Sequence, residues 1–426
     1  MKEKVLNWVQ QFDTFCFLDN HGYQIEPHTE ECLVAAGKKR KIESTAGKAL
    51  AQLQKFIDEK PTWLFGHLGY DLKNEIEGLT SSHPDRIGFP DLFFFEPEIV
   101  IQLSEKEMII NADDPEKLFV EIRKTKTNEK EKNSSRIVIQ QKISHEEYIS
   151  IIKKLQKHIL RGDCYEINFC QEFFVENIVI DPVSVYKNLS EVSPNPFSAL
   201  YRLNDKWLIC ASPERFLKKT GNTILSQPIK GTSKRTSEND EKNKRDLYNS
   251  AKDRSENVMV VDLVRNDLAK ICIEGTVKVD ELYGIYSFPQ VHQMISTVSG
   301  KMKENISFSE IIGTTFPMGS MTGAPKRSVM QMIEKYEKTK RGIFSGALGY
   351  ITSPFNPISG REGKGVVRGV ADFDFNVVIR SIMFNSSLKN LSFQTGSGIT
   401  FYSDAEKEWE ECLLKAEAIK KVLATK

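Results

Sequence analysis

Stretches with strand character and stretches with helix character do not alternate along this chain, and that irregular order restricts its architecture more than any other feature. A doubly wound parallel sheet needs strand and helix in turn, so the order points instead to an α+β sandwich. Strand-like runs, rich in β-branched, aromatic and other apolar residues, fall at 63–65, 98–103, 165–174, 199–211 and 373–385. Helical spacing is clearest at 144–160, where Tyr148, Ile151, Ile152, Leu155 and Ile159 share one face and Ser144 with Glu147 has the form of a capping box. Further helices are predicted over 246–268, 307–316, 325–336 and 405–422.

The segment KTKTNEKEKNSSR, 124–136, is polar and free of aromatic residues, as in a flexible surface connection. It divides an N-terminal subdomain, 1–123, from a larger domain, 137–426. The chain carries 59 Lys+Arg against 58 Asp+Glu, a net charge of +1, with no basic stretch long enough for a nucleic-acid groove. The basic runs at 37–41 and 234–245 read as solvated surface, since acids are mixed into the second. Seven scattered cysteines without a Cys-x-x-Cys pair indicate neither a disulfide framework nor a zinc site. No apolar run approaches a membrane span and the N-terminus lacks a signal-peptide pattern, so a cytoplasmic protein without membrane partners is expected.

Candidate chemistry sits in a few places. Asp253 and Glu256 lie three residues apart on one helical face, beside the apolar run VMVVDLV. Glu408 and Glu411 repeat the spacing on the last helix, with Lys415 one turn later. Two such helices could hold one hard cation through oxygen ligands, and magnesium suits that set better than zinc. The same spacing is also the ordinary pattern of a solvated helix face. The glycine turn TGSGIT, 395–400, could offer backbone N–H groups to an anion, or be a plain tight turn. No Walker A pattern occurs. Lys230 of QPIKGTSKR could be a nucleophile with Glu214 of SPERF as proton donor, or an exposed loop lysine.

In order along the chain, GDCYEINFCQ, SPERFL, PIKGT, DRSENVMVVDLVRNDL, VHQMISTVSG, FPMGSMTGAPK, IFSGALGY, DFNVVIRS, GSGIT and DAEKEWEECLLKA resemble the chorismate-utilising enzymes. That family includes anthranilate, aminodeoxychorismate, isochorismate and salicylate synthases. The resemblance covers about 144–422 and continues more loosely through GHLGYDL, 66–72. It implies a large, mainly antiparallel β-sandwich with helices packed outside, as in anthranilate synthase. It also implies that Glu256 and Glu411, with Asp253 and Glu408 beside them, hold Mg²⁺ against the ring carboxylate of chorismate. Thr232, Arg380, Lys415 and the N–H groups of Gly396 and Gly398 then bind substrate, while His292 lies near the departing hydroxyl and Glu214 protonates it.

Two positions separate the branches. Water-adding members carry a lysine in the motif written here YEINFCQ, where this chain has Glu166. Anthranilate-forming members typically read PIAGT, whereas PIKGT resembles the aminodeoxychorismate-forming branch, in which the lysine attacks C2 and ammonia then attacks C4. The expected activity is thus that of an amino-transferring synthase making 4-amino-4-deoxychorismate for para-aminobenzoate and folate, with anthranilate formation as the alternative. A catalytic lysine must be neutral to attack, so a depressed Lys230 pKa is expected. FCFLDNHGY matches the family's tryptophan segment poorly, which implies no tryptophan regulation. Nothing in the sequence resembles a glutaminase, so ammonia comes from solution or from a separate glutamine amidotransferase subunit. The Gly- and Pro-rich stretch between GALGYI and ADFDFN reads as a surface hairpin extension.

Overall fold

The computed structural model describes residues 1–23, 31–127, 137–236, 238–288, 291–352 and 370–424. Its strands pair antiparallel in two large sheets, of eleven and ten strands. The expected mainly antiparallel α+β sandwich is what forms. Segments on both sides of 124–136 contribute to each sheet. Thr14–Asp19 lies between Cys32–Ala36 and Phe197–Leu203 in the first, and Leu64–Leu68 between Leu92–Glu96 and Ala347–Ile351 in the second. The polar connection therefore divides neither sheet; its residues 128–136, like 353–369 of the hairpin extension, lie outside the described residues.

The sheets face each other, and a hydrogen bond crosses between them, the Tyr201 hydroxyl donating to His67 Nδ1 at 3.1 Å while Nε2 donates to the Pro90 carbonyl. One apolar cluster, including Tyr201, Phe65, Phe93 and Phe375, fills this space and continues under the helices Ala49–Glu59, Ala251–Ile271 and Phe308–Thr315. A second lies on the opposite face of the eleven-stranded sheet, beneath His145–Leu160, Pro182–Val192 and Ala405–Ala424. Alternation along a strand assigns the faces: Phe15 and Phe17 join the second cluster while Cys16 joins the first.

Three predicted elements resolve differently. The run 199–211 is a hairpin, Phe197–Leu203 and Lys206–Ser212, because Asn204 takes φ 54° and closes a two-residue turn. The run 373–385 splits into Phe373–Val377 and Ser381–Asn385, which join different sheets; Arg380 marks the crossing at φ 50°. The predicted helix 246–268 is two, Asp240–Asn249 and Ala251–Ile271, broken where Ser250 extends and its side chain accepts from the Asp253 N–H. The helix at 145 starts as predicted, Ser144 accepting from the Glu147 N–H, but the full reciprocal box forms at Ser307 and Glu310.

Candidate active site

The strand Ile229–Lys234 pairs with Val291–Lys301, and its register shifts between Ile229 and Thr232. Gly231 takes φ 86° in that shift, a left-handed conformation that suits glycine. The resulting bulge turns Lys230 inward, leaving it 8% exposed. Its Nζ donates to Glu166 Oε1 at 2.5 Å, at the start of the strand Glu166–Val175. Gly398 borders this pair so closely that a Cβ there would lie 2.6 Å from Glu166 Oε1 and 2.8 Å from Lys230 Nζ. The expected depression of the Lys230 pKa does not occur. Burial alone would lower it, but Glu166, Glu256 and Glu214 outweigh burial and hold the ammonium form above its ordinary range.

Glu214 follows the strand Lys206–Ser212 and is buried, its N–H bonded to Ser212 Oγ at 3.2 Å. Burial pushes its carboxyl up to about 7, with Ser320, Lys230 and Arg380 opposing the rise. A carboxyl with that pKa can donate a proton near neutrality. It also carries a stability signature. The native carboxyl keeps its proton to about 7 while the unfolded one loses it near 4.5, so this group weakens folding as pH rises through that window. The melting temperature of the native sequence relative to Glu214→Gln should therefore fall between about pH 4.5 and 7 and level off above. Parallel melting curves across that range would contradict the burial assigned to Glu214.

Carboxylates of the two acidic helices come together. Glu256 of Ala251–Ile271 meets Glu408 and Glu411 of Ala405–Ala424 around an unanticipated cation, Lys252, whose Nζ lies 3.8, 3.1 and 3.9 Å from them respectively. These carboxylates overcome burial and raise the Lys252 pKa. Glu256 is pushed up to about 7, chiefly by burial. Burial would raise Glu411 too, but Lys415, 2.8 Å away, and Lys252 bring it below the ordinary carboxylate value. Glu256 Oε1 and Glu408 Oε2 are buried without a hydrogen-bond partner among the described residues. No ready-made metal-ligand group appears among those residues, the lysine standing among the carboxylates instead. An all-carboxylate donor set with buried, unsatisfied oxygens nonetheless fits a hard divalent cation. Asp253 packs over Gly231, where a Cβ would come within 2.9 Å of it.

The remaining predicted residues divide. Lys415 Nζ donates to the Gly396 carbonyl at 2.8 Å. Cys170 and Asn168, the register partners of Gly396 and Gly398, donate their N–H groups to Glu337 and to the Thr322 carbonyl. Antiparallel geometry then turns the Gly396 and Gly398 N–H groups away from that neighbouring strand. The Arg380 guanidinium makes no hydrogen bond or ion pair to a described residue, and its pKa falls to about 10 through burial, partly offset by Glu214. Thr232 is exposed beside the bulge. His292 is buried, its ring nitrogens bonded to Ser287 Oγ at 2.8 Å and Asp240 Oδ1 at 3.1 Å. No bond joins it to Lys230 or Glu214 among the described residues. Leu18, Asp19 and Asn20 of FCFLDNHGY line a separate, small open pocket with Pro196, Tyr350 and Asn376.

The antiparallel sandwich thus carries a buried lysine paired with one carboxylate, a second buried carboxyl with a raised pKa, and three carboxylates gathered around Lys252. The same architecture occurs in anthranilate synthase component I from Streptococcus pneumoniae TIGR4, with TM-score 0.78 at 23% identity over 95% of both chains. The sequence profile of the chorismate binding enzymes matches residues 13–421, and the chain belongs to that family. Relatives include an anthranilate synthase component I-like protein from Synechocystis, 30% identical over 84% of this chain and 71% of its own. Aminodeoxychorismate synthase component 1 of Escherichia coli is 29% identical over 92% of this chain and 86% of its own. A probable chloroplastic aminodeoxychorismate synthase of Oryza sativa is 36% identical over 68% of this chain, which spans only 31% of that longer protein. Among the described residues no helix is long and apolar enough to cross a membrane.

Proposed function

We infer that this chain is an aminodeoxychorismate synthase component I, a cytoplasmic enzyme replacing the 4-hydroxyl of chorismate with an amino group from ammonia. The observation that carries this reading is Lys230, buried in the Glu166 ion pair and close enough to Glu214 to act on its charge. Lysine attack at C2 explains how the amine ends at C4, since ammonia then enters at C4 and expels the lysine. Glu214, half protonated near neutrality, supplies the proton with which the 4-hydroxyl leaves as water.

Arg380, with no described counter-ion, and Lys415 with the outward N–H groups of Gly396 and Gly398, hold the substrate carboxylates. Thr232 lies exposed beside the Gly231 bulge, and His292 takes part only after giving up Asp240 or Ser287. Glu256, Glu408 and Glu411, with Asp253 beside them, would hold Mg²⁺, which when bound supplies positive charge to the ring carboxylate. Lys252 must then move aside. Anthranilate synthase component I is the second reading, favoured by the relatives of that name at similar identity; Lys230 and the PIKGT bulge weigh against it.

Purified protein with chorismate, ammonium and Mg²⁺ should form 4-amino-4-deoxychorismate, resolved chromatographically from fluorescent anthranilate. Glutamine should replace ammonium only when a separate amidotransferase is added. Anthranilate as the main product would select the second reading. Glutamine-dependent turnover by the chain alone would contradict the need for a partner.

A further inference from the structure

Glu166 stands in the motif YEINFCQ where the water-adding members carry a lysine. In the structure it is 2% exposed, and its Oε1 accepts from Lys230 Nζ at 2.5 Å. Its second oxygen, Oε2, is buried without a hydrogen-bond partner among the described residues. Because Gly398 carries no side chain, the pair closes against bare backbone. The other carboxylates acting on Lys230 are placed differently. Glu214 stands after its own strand as the proton donor, while Glu256 and Glu411 face Lys252, and Glu411 also faces Lys415. Glu166 is the only carboxylate in hydrogen-bond contact with the Lys230 ammonium among the described residues.

We propose that Glu166 is a positioning residue for Lys230, aiming its nitrogen and accepting the proton that the lysine must shed before it can bond to chorismate. The inference rests on the reading of Lys230 as nucleophile. The proton passes from Nζ to the Glu166 carboxylate, and the freed lone pair forms the C2–N bond. The ring double bonds shift, the C4–O bond breaks, and the oxygen leaves as water with the proton of Glu214. When ammonia forms the C4–N bond, the ring electrons shift back and the C2–N bond breaks. The released amine then recovers its proton from Glu166, and the extra proton on the new C4 ammonium passes through solvent to Glu214, so both carboxyl groups return to their starting states.

The test compares the native sequence with Glu166→Gln and Glu166→Asp across pH, at constant free ammonia. Rates of C4 amination are measured together with the amount of lysine-bound intermediate in quenched samples. Glutamine keeps the size and one hydrogen bond but accepts no proton. The Gln variant should lose on the order of 10²-fold in kcat near neutrality, with chorismate KM little changed. Its rate should then climb about tenfold per pH unit, because Lys230 must deprotonate to solvent. The Asp variant should restore the native pH profile at reduced rate. A Gln variant with native rate and native pH profile would overturn the proposal. So would a uniform loss with unchanged profile in both variants, which marks a structural role. The reading of Lys230 fails separately, if the native protein itself aminates C4 without any lysine adduct.

Discussion

Lys230→Ala is expected to lower formation of 4-amino-4-deoxychorismate by about 10²-fold or more, the scale of losing several kcal/mol of nucleophilic catalysis. The variant keeps Glu214, the acidic pocket, Arg380 and Lys415, so what remains should be direct attack by ammonia, with product shifting toward C2 amination. The structure adds a second expectation. Lys230 is the counter-ion of Glu166, and its removal leaves a buried carboxylate without its hydrogen-bond partner. Lys230→Ala should therefore destabilise the fold, and Lys230→Ala with Glu166→Gln should recover part of that stability without recovering C4 amination. Thermal melts and product chromatography of the two variants separate these effects. Full C4 amination by Lys230→Ala would leave the lysine no more than an electrostatic role.

The second large effect concerns the acidic pocket. Glu256→Gln and Glu411→Gln each remove one charge without changing size. If the lost charge weakens cation binding by about 3 kcal/mol, Mg²⁺-dependent turnover should fall by roughly 10²-fold. Titration calorimetry with Mg²⁺ should show the same loss without any turnover. The two positions should differ in stability. Burial disfavours the Glu256 anion, so its amide should fold at least as well at neutral pH, whereas Glu411 is paired with Lys415 and its amide should not gain. Native Mg²⁺ affinity and native turnover in both variants would remove the metal assignment.

Much of this was legible in the sequence, for identifiable reasons. The period-3.6 spacing at Tyr148, Ile151, Ile152, Leu155 and Ile159 places a helix because one face must be buried, and the first four are buried with Ile159 half-buried beside them. Of the i, i+3 acids on the two distant helices, Glu256, Glu408 and Glu411 come together around Lys252, while Asp253 packs over Gly231. What stayed hidden depends on pairings that no local pattern encodes. Lys230 and Glu166 lie on strands of different sheets, so the ion pair that reverses the expected lysine shift arises only when the sheets face each other. Lys252 carried a signal, a lysine four residues before Glu256 on the same helix, yet its contacts with Glu408 and Glu411 come from the far end of the chain. The split of 373–385 between two sheets was masked by a continuous run of strand-forming residues, with Arg380 at the crossing.

The most direct measurement is mass spectrometry of the native protein quenched during turnover with chorismate, ammonium and Mg²⁺. A lysine nucleophile requires an adduct equal to chorismate less one water, mapped to the peptide that contains Lys230 and absent from Lys230→Ala. Steady C4 amination with no such adduct at any quench time would contradict covalent catalysis by Lys230.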